Sequence, residues 1–346
     1  MSEKRVYIAN TGGTIGMQAG ADGYRPAPGY LARRMAGMPE LHAEEMPEFV
    51  IGEFDPLLDS SNMAPQDWMR IGRPVLEQWD EFDGFIVIHG TDTMAYSASA
   101  LSFALDGITK PVIFTGSQIP LIEVRSDART NLVTALQIAA RFPIPEVCLF
   151  FGDRLLRGNR STKVSAGGFD AFESPNFPPL GLAGVDLEVR SDLVRRPHRG
   201  AADTPKRPHF TEVRPAEVIA LKIFPGISRE ILRNALQPPT EGVVLETYGV
   251  GNAPEEPELL AVLAEATARG VVVVNCTQCL YGTVDMDDYA PGSALGRAGV
   301  TCGRDMTSEA ALTKLVYLLS LDLGVDEVRR RMSLNLRGEL TEKASA

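Results

Sequence analysis

The sequence predicts an α/β protein with a larger N-terminal domain on a parallel sheet and a smaller C-terminal α/β domain, joined by a Pro-rich linker. Three observations lead there. Short apolar runs of strand character alternate with helical patterns in both halves, and such alternation implies parallel strands joined by right-handed crossovers. The strands of the first half end in small polar turns just where helices begin, the usual ligand position of open α/β sheets. Finally, residues 190–215 break the pattern with Pro197, Pro205, Pro208 and Pro215 and a basic balance in an acidic chain, as a linker does. The boundaries read from this are 1–189, 190–215 and 216–346, because 346 residues are long for one core.

The first strand is Val6-Tyr7-Ile8-Ala9, running directly into Asn10-Thr11-Gly12-Gly13-Thr14-Ile15-Gly16. Paired glycines at a strand end bring backbone N–H groups close to whatever sits at the sheet edge. Two hydroxyls, Thr11 and Thr14, lie in that turn. A phosphate cradle, a threonine held for chemistry and a plain tight turn all remain open. The spacing fits neither GxGxxG nor GxxxxGK[ST], which weakens the phosphate reading.

Residues 17–64 read as loop-rich. Gly20 to Tyr24 is a turn stiffened by Pro26 and Pro28, placed to fold over a site as a lid, with Tyr24 its aromatic hydroxyl. Asp59-Ser60-Ser61 collects small polar groups before a helix over Pro65–Trp79, whose Trp68, Ile71, Val75, Leu76 and Trp79 recur at helical spacing. Phe85-Ile86-Val87-Ile88 is apolar on both faces, as a covered parallel strand is. It ends in His89-Gly90-Thr91-Asp92-Thr93, and a helix follows over 94–105. The strand 111–114 ends in Thr115-Gly116-Ser117-Gln118; a helix over 127–141 and a strand over 146–151 come next. Arg154, Arg157, Arg160 and Lys163 make 154–168 a basic loop, solvated or with one cation reaching back to the sheet edge. Beyond the linker come strands at 218–224, 243–248 and 271–275, with helices at 229–236, 257–269, 309–321 and 325–332.

A net charge of −11 and a sequence pI of about 5.0 argue against sequence-independent nucleic-acid binding and against an anionic membrane surface. They suit a small polar ligand. No apolar run of membrane-spanning length is present, and the N-terminus enters a strand without the apolar stretch of a signal peptide, so a cytoplasmic protein is expected. Cys276-Thr-Gln-Cys279 is spaced like a metal or redox pair. An apolar strand leads into it and no second pair follows, so Cys148, Cys276, Cys279 and Cys302 are expected to be reduced structural thiols, with no metal and no cofactor.

The strand ends collect Thr14, Asp59, Ser60, Thr91, Asp92, Thr115 and Ser117. A hydroxyl is a poor nucleophile at its own pKa and needs a base. His42, His89, His198 and His209 are poorly placed for that, and His89 is expected to point into packing. Lys163 serves if burial lowers its pKa. Asp92 then orients that ammonium or binds a substrate amine, and backbone N–H groups at Gly12–Thr14 and Gly90–Thr91 face a developing oxyanion.

Thr11-Gly12-Gly13-Thr14-Ile15 and His89-Gly90-Thr91-Asp92-Thr93-Met94 resemble the two signature motifs of the bacterial-type L-asparaginases. Asp59-Ser60-Ser61, Thr115–Gln118, Arg157–Lys163 and Tyr248-Gly249-Val250-Gly251-Asn252-Ala253-Pro254 resemble further blocks in family order, end to end, and their form is that of the cytoplasmic type I branch. The resemblance implies hydrolysis of L-asparagine to L-aspartate and ammonia without metal or cofactor. It implies Thr14 as nucleophile, Tyr24 as its support, and Thr91, Asp92 and Lys163 as the group that moves protons or activates water. Asp59, Ser60, Ser61, Thr91, Asp92 and Ser117 would bind substrate. Homodimers or homotetramers would share sites, each completed by the partner's C-terminal domain, for which Asn252 is the match. An acidic residue donated with it falls near Asp285 and Asp287 without being placed. Glu246 stands where regulated members carry a basic residue, which counts against a second, regulatory asparagine site. Two other readings are a glutamine-hydrolysing amidotransferase subunit, disfavoured by the short run before the first strand, and a non-catalytic amino-acid-binding protein, disfavoured by the intact set of candidate catalytic residues.

Overall fold

The computed structural model describes residues 4–20, 23–196, 207–286 and 290–342, with only the backbone at 290 and 291. It divides into two units, Met1–Thr211 and Glu212–Ala346. Pro197, Pro205 and His198 lie outside the described residues, as does Asp287.

In the first unit the strands are β1 (Arg5–Gly12), the hairpin β2 (Met17–Gly20) and β3 (Gly23–Pro26), β4 (Glu48–Leu58), β5 (Gly84–Ile88), β6 (Leu105–Asp106), β7 (Val112–Thr115), β8 (Val147–Phe151) and β9 (Arg154–Arg157). Short strands follow: β10 (Thr162–Lys163), β11 (Phe172–Glu173), β12 (Gly181–Ala183), β13 (Leu187–Val189) and β14 (His209–Phe210). The helices are α1 (Tyr30–Ala36), α2 (Pro65–Glu77), α3 (Met94–Ala104) and α4 (Ala128–Arg141). One eight-stranded sheet runs β13-β12-β9-β8-β7-β5-β1-β4.

Every residue of β5, β7 and β8 is buried, because helices cover both faces. On one face Leu132, Ala135, Leu136 and Ala139 of α4 pack with Ile8, Ile86, Ile113 and Cys148. On the other, Trp79 stacks on Phe85 with ring centroids 5.2 Å apart. The Ala- and Ser-rich α3 is buried all round, which only small side chains permit at close helix–sheet range.

Two expectations need correction. Residues 48–58, read as loop, form the parallel edge strand β4 beside β1. Its polar residues hid it, and Pro56 is tolerated because an edge strand leaves N–H groups unpaired. The sheet is also mixed rather than wholly parallel: β4, β1, β5, β7 and β8 are parallel, while β9, β12 and β13 extend it antiparallel. The strand β9 was hidden by its arginines. Arg157 enters the interior because Glu146 meets it at 2.5 Å and the Phe177 ring lies 4.3 Å from its guanidinium.

The second unit contains β15 (Val218–Lys222), α5 (Arg229–Ala235), β16 (Gly242–Thr247), α6 (Pro257–Ala268), β17 (Val272–Thr277), α7 (Ala290–Arg297), β18 (Thr301–Cys302), α8 (Ser308–Leu319) and α9 (Val325–Met332). Its parallel sheet has the order β15-β16-β17-β18. The elements α7 and β18 had no counterpart in the sequence reading. No helix among the described residues is long and apolar enough to cross a membrane.

A fully buried ion pair closes this unit. Lys314 Nζ lies 2.6 Å from Glu339 Oε1 and donates to the Met332 carbonyl at 3.0 Å. Glu339 accepts from the Leu336 and Arg337 N–H groups at 2.9 and 2.6 Å. Lys314→Met strands the carboxylate in the core and is expected to lower unfolding free energy by about 3–5 kcal/mol. Urea unfolding measures it, and a loss below about 1 kcal/mol would show that the pair is not buried as described.

Candidate functional site

The site is built on the carboxyl ends of β1, β4, β5 and β7. Where β1 ends, Thr11 is fully buried and its hydroxyl donates to the Ile88 carbonyl of β5 at 2.7 Å. Thr11 thus ties two strands, and Thr14 is left as the accessible hydroxyl of the turn. Gly12 and Gly13 have φ of 124° and 91°. A Cβ on Gly13 would stand 2.5 Å from the Gly90 nitrogen, and one on Gly90 would collide with Ser60 Oγ. Only glycine allows this approach, so the first two turns meet backbone to backbone, the Ser60 side chain closes on Gly90, and Thr14 and Thr91 each follow a contact glycine. Among the described residues Thr14 Oγ1 makes no hydrogen bond.

Asp59 caps a 3₁₀ turn at Ser60–Asn62, accepting from the Ser61 N–H at 3.1 Å. Ser60 is buried, and its carbonyl accepts from Thr93 Oγ1 at 2.8 Å. Asp59 and Ser61 are exposed.

His89 is fully buried. Its Nδ1 lies 2.7 Å from the Gly90 carbonyl, which only accepts, so Nδ1 carries the proton and Nε2 accepts from Ser97 Oγ at 2.8 Å. Burial pushes its pKa down to about 4, against the bond to Gly90. It is a neutral brace of the turn, as expected, and not a base.

The cation of the site is Lys163, on β10. Its Nζ donates to Thr91 Oγ1 and to Asp92 Oδ1, both at 2.8 Å. Thr91 in turn donates to Gln118 Oε1 at 3.2 Å. Thr91 is buried, Lys163 half-buried and Asp92 exposed. The 154–168 segment therefore does send one cation back to the sheet edge.

Other candidates are placed differently. Ser117 is 1% exposed and its hydroxyl donates within its own turn, to the Ile119 carbonyl at 2.7 Å. Tyr24, on the exposed hairpin β2–β3, donates to Glu123 Oε1 at 2.5 Å, and that bond raises the phenol's pKa above its ordinary value. Asn252 belongs to the second unit. It closes a tight loop with Tyr248, N to O at 2.8 Å and O from N at 2.9 Å. Fully buried Thr247 and Asn275 brace this loop: Thr247 Oγ1 donates to Asn275 Oδ1 at 2.6 Å, and Asn275 Nδ2 donates to the Gly251 carbonyl at 3.0 Å. Asp285 donates its N–H to the Val250 carbonyl of the same loop at 2.9 Å.

Sequence reasoning passed over Gln118, quoted only as part of a motif, and Glu123. Neither has a local signal, because their partners are 27 and 99 residues away. Cys148, Cys276, Cys279 and Cys302 form no disulfide among the described residues, and burial drives the Cys276 thiol pKa well up. Among the described residues no group of three His, Cys, Asp or Glu side chains converges as a metal site.

Strand ends carrying two threonines and carboxylates, with a lysine brought to them from β10, suit a site that cleaves an amide or an ester. Residues 5–195 match the family model "Asparaginase, N-terminal", and residues 217–332 match "Glutaminase/Asparaginase C-terminal domain". The chain belongs to the asparaginase family. It is 53% identical over 341 residues to L-asparaginase 1 of Escherichia coli K12, covering 99% of both chains. The structure of L-asparaginase I from Vibrio cholerae matches with a TM-score of 0.91 at 50% identity, over 99% of this chain and 100% of that one. That of the thermostable L-asparaginase from Thermococcus kodakarensis matches with a TM-score of 0.87 at 37% identity, over 98% and 100%. Within the family the chain lies with the type I members.

The His89 environment has a measurable consequence. The folded state keeps the imidazole neutral down to about pH 4, while the unfolded chain protonates it below its ordinary value of 6.5. The unfolded state therefore binds more protons in that window, and stability falls as pH drops from 6.5 to 4, by roughly 3 kcal/mol. Urea unfolding at pH 7 and pH 4.5 should show a smaller acid loss for His89→Gln than for the parent. Equal losses would mean that His89 is not held neutral.

Proposed function

We propose that the protein is an L-asparagine amidohydrolase, releasing L-aspartate and ammonia by way of a threonine ester. The observation that carries this reading is the ammonium of Lys163 at 2.8 Å from both Thr91 Oγ1 and Asp92 Oδ1, beside the turn that presents Thr14. Thr14 Oγ1 attacks the side-chain amide carbon, forming a C–O bond. Backbone N–H groups of the two glycine turns receive the oxyanion. The C–N bond then breaks, and nitrogen leaves as ammonia with the proton from Thr14. Tyr24 takes part in that transfer: it donates to Glu123, which leaves its oxygen lone pairs to accept from Thr14. Water, deprotonated through Thr91 and Lys163, attacks the ester and frees aspartate and Thr14.

Substrate selection follows from charge. Asp59 and Asp92 suit the α-ammonium, while the hydroxyls and N–H groups of Ser60 and Ser61 suit the α-carboxylate. Glutamine carries one more methylene, a difference of only ~1–3 kcal/mol, so some glutaminase activity accompanies the main one. Asparagine catabolism in the cytoplasm is the setting we assign. We further assign a homodimer or a tetramer as the active form, with Asn252 of one subunit completing its partner's site.

Ammonia release measured across concentrations of L-asparagine and L-glutamine tests the activity, and no release from either substrate would overturn it. Thr14→Ala is expected to lower turnover by a factor on the order of 10³ or more, and Lys163→Met by about 10²–10⁴, without loss of fold by circular dichroism. Specific activity should also fall on dilution in step with dissociation followed by sedimentation. A fully active monomer would remove Asn252 from the site.

A further inference from the structure

Among the described residues Gln118 is a further polar side chain in contact with the lysine–threonine pair, through Thr91. It is half-buried at the end of β7. Its backbone N–H is clamped by both oxygens of Asp127, at 3.1 and 3.0 Å, and Asp127 also accepts from the Ile119 N–H at 3.1 Å. The side-chain Nε2 donates to the Gly168 carbonyl at 3.1 Å and to that of Ser165 at 3.5 Å. Both are acceptors only, so a flipped amide would set its oxygen against two carbonyl oxygens. The amide orientation is therefore fixed by its surroundings, and Oε1 is the atom that faces Thr91.

A threonine hydroxyl has one proton and two lone pairs. Lys163 reaches Thr91 Oγ1 as a donor at 2.8 Å, which uses a lone pair. The proton of Thr91 then points to Gln118 Oε1 at 3.2 Å. With that acceptor in place the hydroxyl has one favoured rotor state, its lone pairs toward the ammonium. An amide oxygen is too weakly basic to keep the proton. When Lys163 is a neutral amine, the hydroxyl turns and donates to it instead.

We propose that Gln118 is a positioning residue for the reaction, setting the rotor of the Thr91 hydroxyl between Lys163 and its own carbonyl and tying that hydroxyl to the 165–168 loop. This rests on the assignment of Thr91 and Lys163 to the chemistry. The charged groups around the pair are Asp92 on Lys163, Asp127 behind Gln118 and Glu173 opposite Thr162 in the β10–β11 pair. All are carboxylates and stay in place in the variants below, so differences between those variants belong to position 118.

Gln118→Met keeps the length and removes both hydrogen-bonding functions. It is expected to lower kcat about 10- to 100-fold while KM moves less than about threefold, because Gln118 touches Thr91 and not substrate. Removing the acceptor frees Thr91 to donate to the neutral amine, so the acid limb of the kcat–pH profile moves to lower pH. Gln118→Glu gives up the donors to the Gly168 and Ser165 carbonyls and loosens the tie to that loop, but its other oxygen still accepts from Thr91 and, once ionised, favours the ammonium, so the same limb moves to higher pH. A loss of packing alone gives no such opposite pair. In a Thr91→Ala background Gln118→Met should add nothing. Unchanged kcat and pH profile in Gln118→Met, or an equal further loss in the Thr91→Ala background, would overturn the proposal. Thermal unfolding accompanies each variant, and if Gln118→Met does not fold, the direction of the limb in Gln118→Glu decides. If Thr91→Ala and Lys163→Met keep full turnover, the site assignment itself falls and this inference with it. If they lose it while position 118 is indifferent, only the role of Gln118 falls.

Discussion

The backbone contact between Gly13 and Gly90 sets the dimensions of the candidate site. Two interior strands that pair in parallel, with Asn10 opposite Ile88, carry their turns forward side by side. Because neither turn has a side chain at the contact, the following threonines are spaced by main chain rather than by flexible side chains. The braces around the contact serve the same end: Thr11 bonded to the Ile88 carbonyl, His89 pinned between Gly90 and Ser97, Thr93 bonded to the Ser60 carbonyl. All are polar groups with their hydrogen bonds made in buried or part-buried turns, where leaving a buried one unmade costs about 1–3 kcal/mol. Polar residues so arranged favour one conformation over its alternatives.

Three of the chain's cations show how environment separates structure from chemistry. Arg157 is buried against Glu146 and Phe177, and Lys314 against Glu339 and two backbone carbonyls. Each of these has a full set of partners and no access. Lys163 has one carboxylate and one hydroxyl, and it remains half-buried at a sheet edge. A basic residue type is common to all three. What sets Lys163 apart as the candidate for chemistry is an incomplete set of partners in a place a ligand can reach.

Much of the fold was legible in the sequence because covered strands announce themselves. The apolar runs Phe85–Ile88 and Val147–Phe151 are unambiguous, as is the alternation with helices. The edge strand Glu48–Leu58 was not, because half of its residues face solvent and carry charge. Neither was Arg154–Arg157, whose arginines looked like a solvated loop until Glu146 was found to meet one of them. The site divided in the same way. Thr14, Thr91, Asp92 and Asp59 were visible because each follows a strand and sits beside glycine or an apolar pair. Lys163 was legible as a candidate base in a basic stretch, but not its contact with Thr91. Ser117 was legible as a residue but not as a direction, and its hydroxyl turns back to Ile119.

By itself the sequence determined the α/β alternation, the two signature turns and the absence of a phosphate-binding spacing, because each depends on neighbours within a few residues; Thr14 as nucleophile came from the family resemblance of the first turn. Only the tertiary structure decided which threonine of the first turn is free and which ties strands together, which cation reaches Thr91, and which acceptor receives the Thr91 proton. Those choices rest on groups 27 to 77 residues apart, brought together by strand register and by two glycines that let main chain touch main chain. Local pattern encodes what a segment becomes; contact across the sheet encodes what its side chains are free to do.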